Sequence, residues 1–150
     1  MVEDIRQGDI PGVQLRCRQQ LAATPEEVWK WLTEPGRLER WLAQRAEITP
    51  GPKASLLLES QDTGGEVYRE QAQTMAWEPP SRWVLDFQRL DAGWTHATRL
   101  TLELTPNPAG TDLSVLQTGF AHLPLSDCLT IWETYRRRWR TALSRLAHHL

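Results

Sequence analysis

The chain has 150 residues, of which 40% are hydrophobic and 24% charged, as expected for one globular domain with a buried core. Its formal net charge of -2 and its pI of about 6.1 give no overall positive field that would attract nucleic acid or an anionic membrane. No apolar run approaches the roughly 18 residues of a membrane-spanning helix, and the acidic beginning MVEDIRQGDIPG does not resemble a signal peptide. We therefore expect a cytoplasmic protein with one domain over residues 1–150. Residues 1–11 are expected to form a flexible arm at the beginning of this domain.

Residues 13–21 alternate between apolar and polar side chains, which predicts a half-buried strand. Residues 24–42 then read as two short amphipathic helices. Thr24 is a good N-cap, Pro25 suits the first helical position, and Glu27 has the spacing of a capping box. Pro35 should end the first helix, because the residue before a proline avoids the α region.

The middle of the chain alternates repeatedly and is interrupted by turn residues, which predicts a series of antiparallel strands. The predicted strands cover residues 45–49, 53–60, 66–78, 82–90, 95–104 and 111–120. Ser126 can then cap a long helix that runs to about His149. Its apolar stripe consists of Leu129, Trp132, Tyr135, Trp139, Leu143 and Leu146.

This order of elements, with strands grouped and followed by one long helix, predicts an α+β fold with an antiparallel sheet. A twisted sheet that curves around a long helix can leave space between the two layers. Tryptophan is unusually frequent, with 8 Trp against 2 Phe and 2 Tyr. Indole side chains could either line such a space as a pocket or fill it completely, and the sequence leaves both outcomes open.

Several motifs in this order resemble those of the SRPBCC (START-like, helix-grip) superfamily. The nearest branch resembles the one named for the activator of the heat-shock-protein ATPase. The motifs are residues 23–41 around the helix pair, Pro79-Pro80-Ser81-Arg82-Trp83, residues 98–104, residues 110–120 and residues 138–150. The resemblance implies a curved antiparallel sheet wrapped around a long C-terminal helix, with two short helices after the first strand.

Four residues depart from the pattern of this family. Arg138 occupies a position where glycine is common, and Gln117 one where a histidine or an acid is common. Trp77 and Trp83 replace smaller aliphatic residues. If these side chains face the interior, the cavity of this protein is narrower or differently shaped than in its relatives.

The predicted cavity lies between the sheet and the C-terminal helix, and its polar members would orient a ligand. The predicted lining residues are Arg69, Gln71, Gln73, Met75, Trp77, Trp83, Leu85, Phe87, His96, Leu100, Gln117, Trp132, Tyr135 and Trp139. A shift of one residue in register would place the polar members on the opposite face.

Three kinds of function fit this reading. The first is binding of a small hydrophobic ligand in the cavity. The second, implied by the resemblance, is a protein-interaction module whose partner is a chaperone or another protein. The third is a polyketide cyclase-like or aromatase-like enzyme, for which His96, Tyr135 and Arg69 are the polar candidates. No catalytic constellation is recognisable in the sequence, so no catalytic residue is predicted.

The sequence predicts neither a cofactor nor a metal site, because its cysteines and histidines lack metal-ligand spacings. Cys17 and Cys128 are expected to be reduced, buried thiols. Several arginines flank the apolar stripe of the C-terminal helix. We expect them to extend their charged groups into solvent or to pair with nearby acids, rather than to bind nucleic acid. Both a monomer and a homodimer are compatible with the sequence.

Overall fold

A computed structural model describes residues 8–49, 51–124 and 126–150 of the chain. In these residues one antiparallel sheet of seven strands, in the order β1-β7-β6-β5-β4-β3-β2, packs against a long C-terminal helix. The strands are β1 (Gln14–Leu21), β2 (Arg45–Ile48), β3 (Ser55–Gln61), β4 (Val67–Glu78), β5 (Arg82–Arg89), β6 (Thr98–Asn107) and β7 (Gly110–Thr118). The helices are α1 (Pro25–Thr33), α2 (Pro35–Trp41) and α3 (Cys128–His149).

Strands β2 to β7 follow one another as antiparallel neighbours, and β1 completes the sheet by pairing with β7 from Gln14↔Thr118 to Leu21↔Thr111. The first and the last strand in the chain are therefore neighbours in the sheet. The predicted α+β helix-grip architecture is therefore confirmed, including the two short helices after the first strand.

The helix pair forms largely as its sequence predicts. The Thr24 hydroxyl accepts a 3.3 Å hydrogen bond from the backbone N–H of Glu27, and Pro25 begins α1. Glu34 is extended and separates α1 from α2, which begins at Pro35. The Glu27 carboxylate does not complete the capping box. It accepts a 2.6 Å bond from Arg37 in α2, which lowers the pKa of Glu27 and ties the two helices together.

Helix α3 differs from its prediction in its first turn. Its N-cap residue is Asp127 rather than Ser126, and the Asp127 side chain makes no capping hydrogen bond. Leu129, the first residue of the predicted apolar stripe, is 50% exposed and lies beside Gly12. The remainder of the predicted stripe is buried as expected, namely Trp132, Tyr135, Trp139, Leu143 and Leu146.

The predicted N-terminal arm is only partly within the described residues, since residues 1–7 lie outside them. Residues 8–11 pack against β1 and α3. Asp9 is buried and accepts 2.8 Å hydrogen bonds from the backbone N–H of Arg16 and from Nε of Arg136. This buried carboxylate anchors the beginning of the domain to α3.

The structure explains why position 110, in one of the motifs that resemble the family, is occupied by glycine. Its φ is 135°, and a Cβ atom at this position would lie 2.2 Å from the carbonyl oxygen of Leu21. A residue with a side chain could not approach the end of β1 so closely. Gly110 therefore allows β7 to begin directly against the segment that leads into α1.

Candidate functional site

Most of the predicted cavity residues on the later strands and on α3 do face the space between the two layers. They are buried there together with the core of the domain. These residues are Trp83, Leu85, Phe87, Leu100, Gln117, Trp132, Tyr135 and Trp139.

Before its bulge, strand β4 alternates between inward and outward side chains in the opposite order to the one predicted. Four residues that were expected to face inward therefore face outward. A β-bulge lies between Thr74 and Ala76, so that Thr74 is opposite Leu85 while Trp77 is opposite Trp83. A bulge adds one residue and reverses the inward-outward alternation. Trp77 was therefore placed correctly, but the same parity fails before the bulge. The four residues that lie exposed on the outer face, contrary to the prediction, are Arg69, Gln71, Gln73 and Met75.

His96 does not belong to the inner face of β6 either. This strand begins at Thr98 rather than at residue 95, and His96 is exposed in the preceding loop, 2.9 Å from the Thr95 hydroxyl. Arg69 pairs with Glu59 at 3.0 Å on the outer face of the sheet. The three polar candidates for catalysis, His96, Tyr135 and Arg69, thus lie in three different environments and do not converge.

Three tryptophans close one end of the space between the layers. The ring centroids of Trp29 and Trp77 are 5.2 Å apart, and those of Trp77 and Trp83 are 5.3 Å apart, both in edge-to-face arrangements. The Trp83 indole N–H donates a 2.8 Å hydrogen bond to Thr74. Aromatic pairs of this geometry stabilise a packed core. Here the tryptophans fill space that smaller side chains would leave open.

Between the layers lies an apolar void of about 20 Å³. Its walls include Leu32 and Leu38 from the helix pair, Leu58 from β3 and Trp139 from α3. A void of this size holds about one water molecule, whereas drug-sized ligands occupy roughly 300–1,000 Å³. The open pocket that the sequence allowed is therefore closed in this conformation.

Gln117, predicted to orient a ligand, is buried and hydrogen-bonded to protein groups. Its side-chain oxygen accepts a 2.9 Å bond from the Trp139 indole N–H, and its amide donates at 2.9 Å to the Thr98 hydroxyl. Thr98 in turn donates to the carbonyl of Phe87 at 2.9 Å. This buried chain joins α3 to three neighbouring strands, so Gln117 acts as a structural link.

A buried ionic cluster that the sequence did not predict lies between β4 and α3. Glu70 is fully buried, and its Oε2 accepts hydrogen bonds from the Tyr135 hydroxyl and from Arg138. The pKa of Tyr135 is raised well above its usual value, mainly by burial and in second place by the negative charge of Glu70. Burial alone would lower the pKa of Arg138, but the Glu70 carboxylate outweighs it and the pKa is raised. The tyrosine thus remains a neutral donor beside a charged pair.

The second carboxylate oxygen of Glu70, Oε1, is buried and has no hydrogen-bond partner among the described residues. The Arg138 guanidinium also lies over the ring of Tyr68, 5.5 Å from its centroid. In the sequence, only Arg138 pointed to this cluster. It replaces a glycine of the family pattern, and an arginine on the inner face of a helix requires a buried acid as its partner. The predicted alternation of β4 places Glu70 on the outer face of the sheet, so the sequence did not indicate it as that acid.

An open groove of about 450 Å³ lies next to this cluster. It is bounded by the end of α2, the hairpin between β3 and β4, and the exposed side of α3. Its charged residues are the arginines Arg40, Arg137, Arg138 and Arg145 and one acid, Glu39. Its volume falls within the range of small-molecule sites.

Trp41 and Leu42 line both the open groove and the closed apolar void, so they form the wall between them. The Trp41 indole N–H donates a 3.1 Å hydrogen bond to the carbonyl of Trp31 in α1. Leu42 is half-buried, and its carbonyl accepts a long 3.4 Å bond from Arg138. The wall thus consists of one buried, hydrogen-bonded indole and one half-buried leucine at the end of a short helix.

Cys17 offers no reactive thiol, because burial raises its pKa to about 11 and keeps it protonated at neutral pH. Cys128, expected to be buried, is only half-buried. Within the part of the chain that the structure describes, no three His, Cys, Asp or Glu side chains converge as metal ligands. No helix there is both long and apolar enough to cross a bilayer.

Comparison with solved structures shows the same fold in several bacterial proteins. A protein from Rhodobacter sphaeroides is 23% identical with a TM-score of 0.74, and the match covers 95% of this chain and 94% of that one. A protein from Chromobacterium violaceum is 22% identical with a TM-score of 0.74, covering 90% and 94% of the two chains. DynU16, from the dynemicin biosynthetic locus, is 21% identical with a TM-score of 0.71, and the match covers 91% of this chain but 46% of DynU16.

These identities are below 25%, so these likenesses show the fold alone. A comparison with curated proteins gave no match. A family model described as "Activator of Hsp90 ATPase homolog 1-like protein" matches residues 22–150, which include the helix pair, strands β2 to β7 and helix α3. The chain therefore belongs to the family of activator of Hsp90 ATPase homolog 1-like proteins, within the START-like (SRPBCC) superfamily.

Proposed function

We propose that this protein binds a small, largely apolar molecule between its sheet and α3, and that the ligand enters from the groove past Trp41 and Leu42. The observation that carries this proposal is that these two residues are the shared wall of the groove and the apolar void. A displacement of the end of α2 would join the two spaces. The tryptophans and leucines around the void would then become ligand contacts.

The local structure supports Leu42 as the movable part of this wall. It follows the last residue of α2, a helix of 7 residues, and lies three residues before β2. A ligand that buries about 300 Å² of apolar surface gains about 7–8 kcal/mol, from which the cost of opening must be subtracted. We therefore expect affinities in the micromolar range or weaker.

Leu42→Ala is expected to increase the affinity for the neutral fluorescent probe N-phenyl-1-naphthylamine by about three- to tenfold. The substitution shortens the wall and enlarges the void, so less of the binding energy is used for opening. Probe fluorescence titrations would measure the change. Leu116→Ala on the outer side of β7 is the matched control and should leave the affinity unchanged.

A second variant tests the location of the ligand. Leu58→Phe adds volume to the wall of the void and should weaken probe binding, while far-UV circular dichroism verifies that the domain remains folded. Equal probe affinity in the native protein, Leu42→Ala and Leu58→Phe would contradict the proposed site.

A second candidate function is binding to a chaperone of the Hsp90 type, which the description of the matching family favours. The outer face of β4 carries two exposed apolar side chains, Val67 at 48% and Met75 at 53% exposure, which a partner protein could cover. If this face binds the chaperone, Met75→Glu should abolish stimulation of the chaperone ATPase, and Gln71→Glu on the same face should not. No stimulation by the native protein would exclude this activity.

A further inference from the structure

The arginines of α3, which form one cluster in the sequence, serve different purposes in the structure. Arg136 and Arg138 are directed to buried acids, Asp9 and Glu70 respectively. Arg137 and Arg145 are separated by about two helical turns, are exposed and line the groove. Their charges are not used to neutralise the interior of the domain.

Arg40 of α2 is the third exposed arginine of the groove and approaches it from the opposite side. Across residues 8–49, 51–124 and 126–150, no ion pair engages Arg40, Arg137 or Arg145. Glu39, the acid of the groove, uses its Oε2 to accept a 3.0 Å bond from the backbone N–H of Ala46. A chain with a net charge of -2 thus gathers positive charge around one concave site.

Ser60 provides an independent indication of a ligand. It lies at the end of β3, lines the groove and is 8% exposed. Its hydroxyl is buried and has no hydrogen-bond partner in the described structure. Buried hydroxyl groups are normally bonded, so an oxygen atom supplied from the groove would satisfy a donor that the protein leaves unused.

We infer that the groove binds the carboxylate or phosphate group of a small amphipathic ligand. Arg40, Arg137 and Arg145 hold the anionic group, and the Ser60 hydroxyl donates a further hydrogen bond. Guanidinium groups suit this role because they bind carboxylate and phosphate oxygens in pairs. The inference deepens the proposed function and rests on it for the apolar part of the ligand, which passes Leu42 into the space between the layers.

The site formed by Arg40, Arg137, Arg145 and Ser60, called the anionic subsite because it would bind an anionic group, can be tested without any apolar ligand. We expect inorganic phosphate to bind with a dissociation constant of about 1–10 mM and to shift the amide resonances of residues 134–145 in nitrogen-15 NMR spectra. The double variant Arg137→Gln/Arg145→Gln should weaken this binding by about tenfold or more. Arg18→Gln/Arg45→Gln removes the same charge from two exposed arginines outside the groove and should not affect it. An equal loss in both variants, or no shift in residues 134–145, would overturn the inference.

Three twelve-carbon compounds separate the inference from the function on which it rests. Laurate and dodecyl phosphate should bind at least about tenfold more tightly than dodecanol, and their order identifies the preferred anion. Equal binding of all three would disprove the anionic subsite and leave the proposed function intact. Binding of phosphate but of none of the three chains would disprove the proposed function and leave the subsite intact. Tight binding of a single-stranded oligonucleotide through the same arginines would overturn the assignment to a small ligand.

Discussion

Replacing Arg138 with methionine is expected to lower the free energy of unfolding by about 3–5 kcal/mol. The substitution retains an unbranched side chain against Tyr68 and Tyr135 but removes the cation that faces Glu70. Glu70 is fully buried, and its carboxylate would then lose its counter-charge in a medium of low polarity. Urea denaturation followed by tryptophan fluorescence would measure the loss.

The neighbouring arginine provides the control. Arg137→Met removes the same charge from an exposed position and should change stability by no more than about 0.5 kcal/mol. A double-mutant cycle with Glu70→Gln, which retains an acceptor for the Tyr135 hydroxyl, isolates the pair. The double variant should be more stable than Arg138→Met alone, since no charge remains buried. Similar losses for Arg137→Met and Arg138→Met would show that the pair has no special role.

The order of elements could be predicted from the sequence because local chemistry determines it. Thr24 and Pro25 begin α1, and Pro35 ends it, for reasons that involve only a few adjacent residues. The alternation is likewise unbroken along β7 and along β6 as far as Leu104, and in these segments every second residue is buried. For such segments, periodicity and turn residues agree with the tertiary structure.

The candidate site was harder to predict because it depends on contacts between distant segments. Glu70 and Arg138 are 68 residues apart, and Glu70 belongs to none of the motifs that the sequence shows. The groove is formed by α2, the β3–β4 hairpin and α3, which meet only in the folded chain. Of the arginines on α3, Arg136 and Arg138 pair with acids whereas Arg137 and Arg145 line the groove, and the sequence could not show which of them remain available for a ligand.

The volume of the interior also could not be deduced from the sequence. Whether eight tryptophans line a pocket or fill it depends on their relative orientations. Trp29, which was not among the predicted cavity residues, packs against Trp77 and Trp83 and closes one end of the space. A few ångströms of side-chain placement therefore separate an open pocket from the void of about 20 Å³.

Substitution of a single residue on β4 by lysine tests the reversed phase of this strand. Ala72 is 1% exposed and lies opposite Leu56 on β3 and Phe87 on β5. Ala72→Lys would place an ammonium group among these side chains without a counter-charge, and we expect it to reduce stability by at least about 3 kcal/mol. Gln73→Lys, one residue further along the chain, places the same group in solvent and should change stability by less than about 0.5 kcal/mol.

The two variants differ by one position and carry the same new charge, so their difference reports only which face of β4 is buried. Thermal unfolding would measure both, and far-UV circular dichroism would show whether Ala72→Lys folds at all. If the alternation ran unbroken through Met75, Gln73 would face the core and the two effects would be exchanged. That result would return Arg69, Gln71 and Gln73 to the interior. It would also place Glu70 in solvent, where it could not neutralise Arg138, so the charge distribution proposed for the groove depends on the bulge.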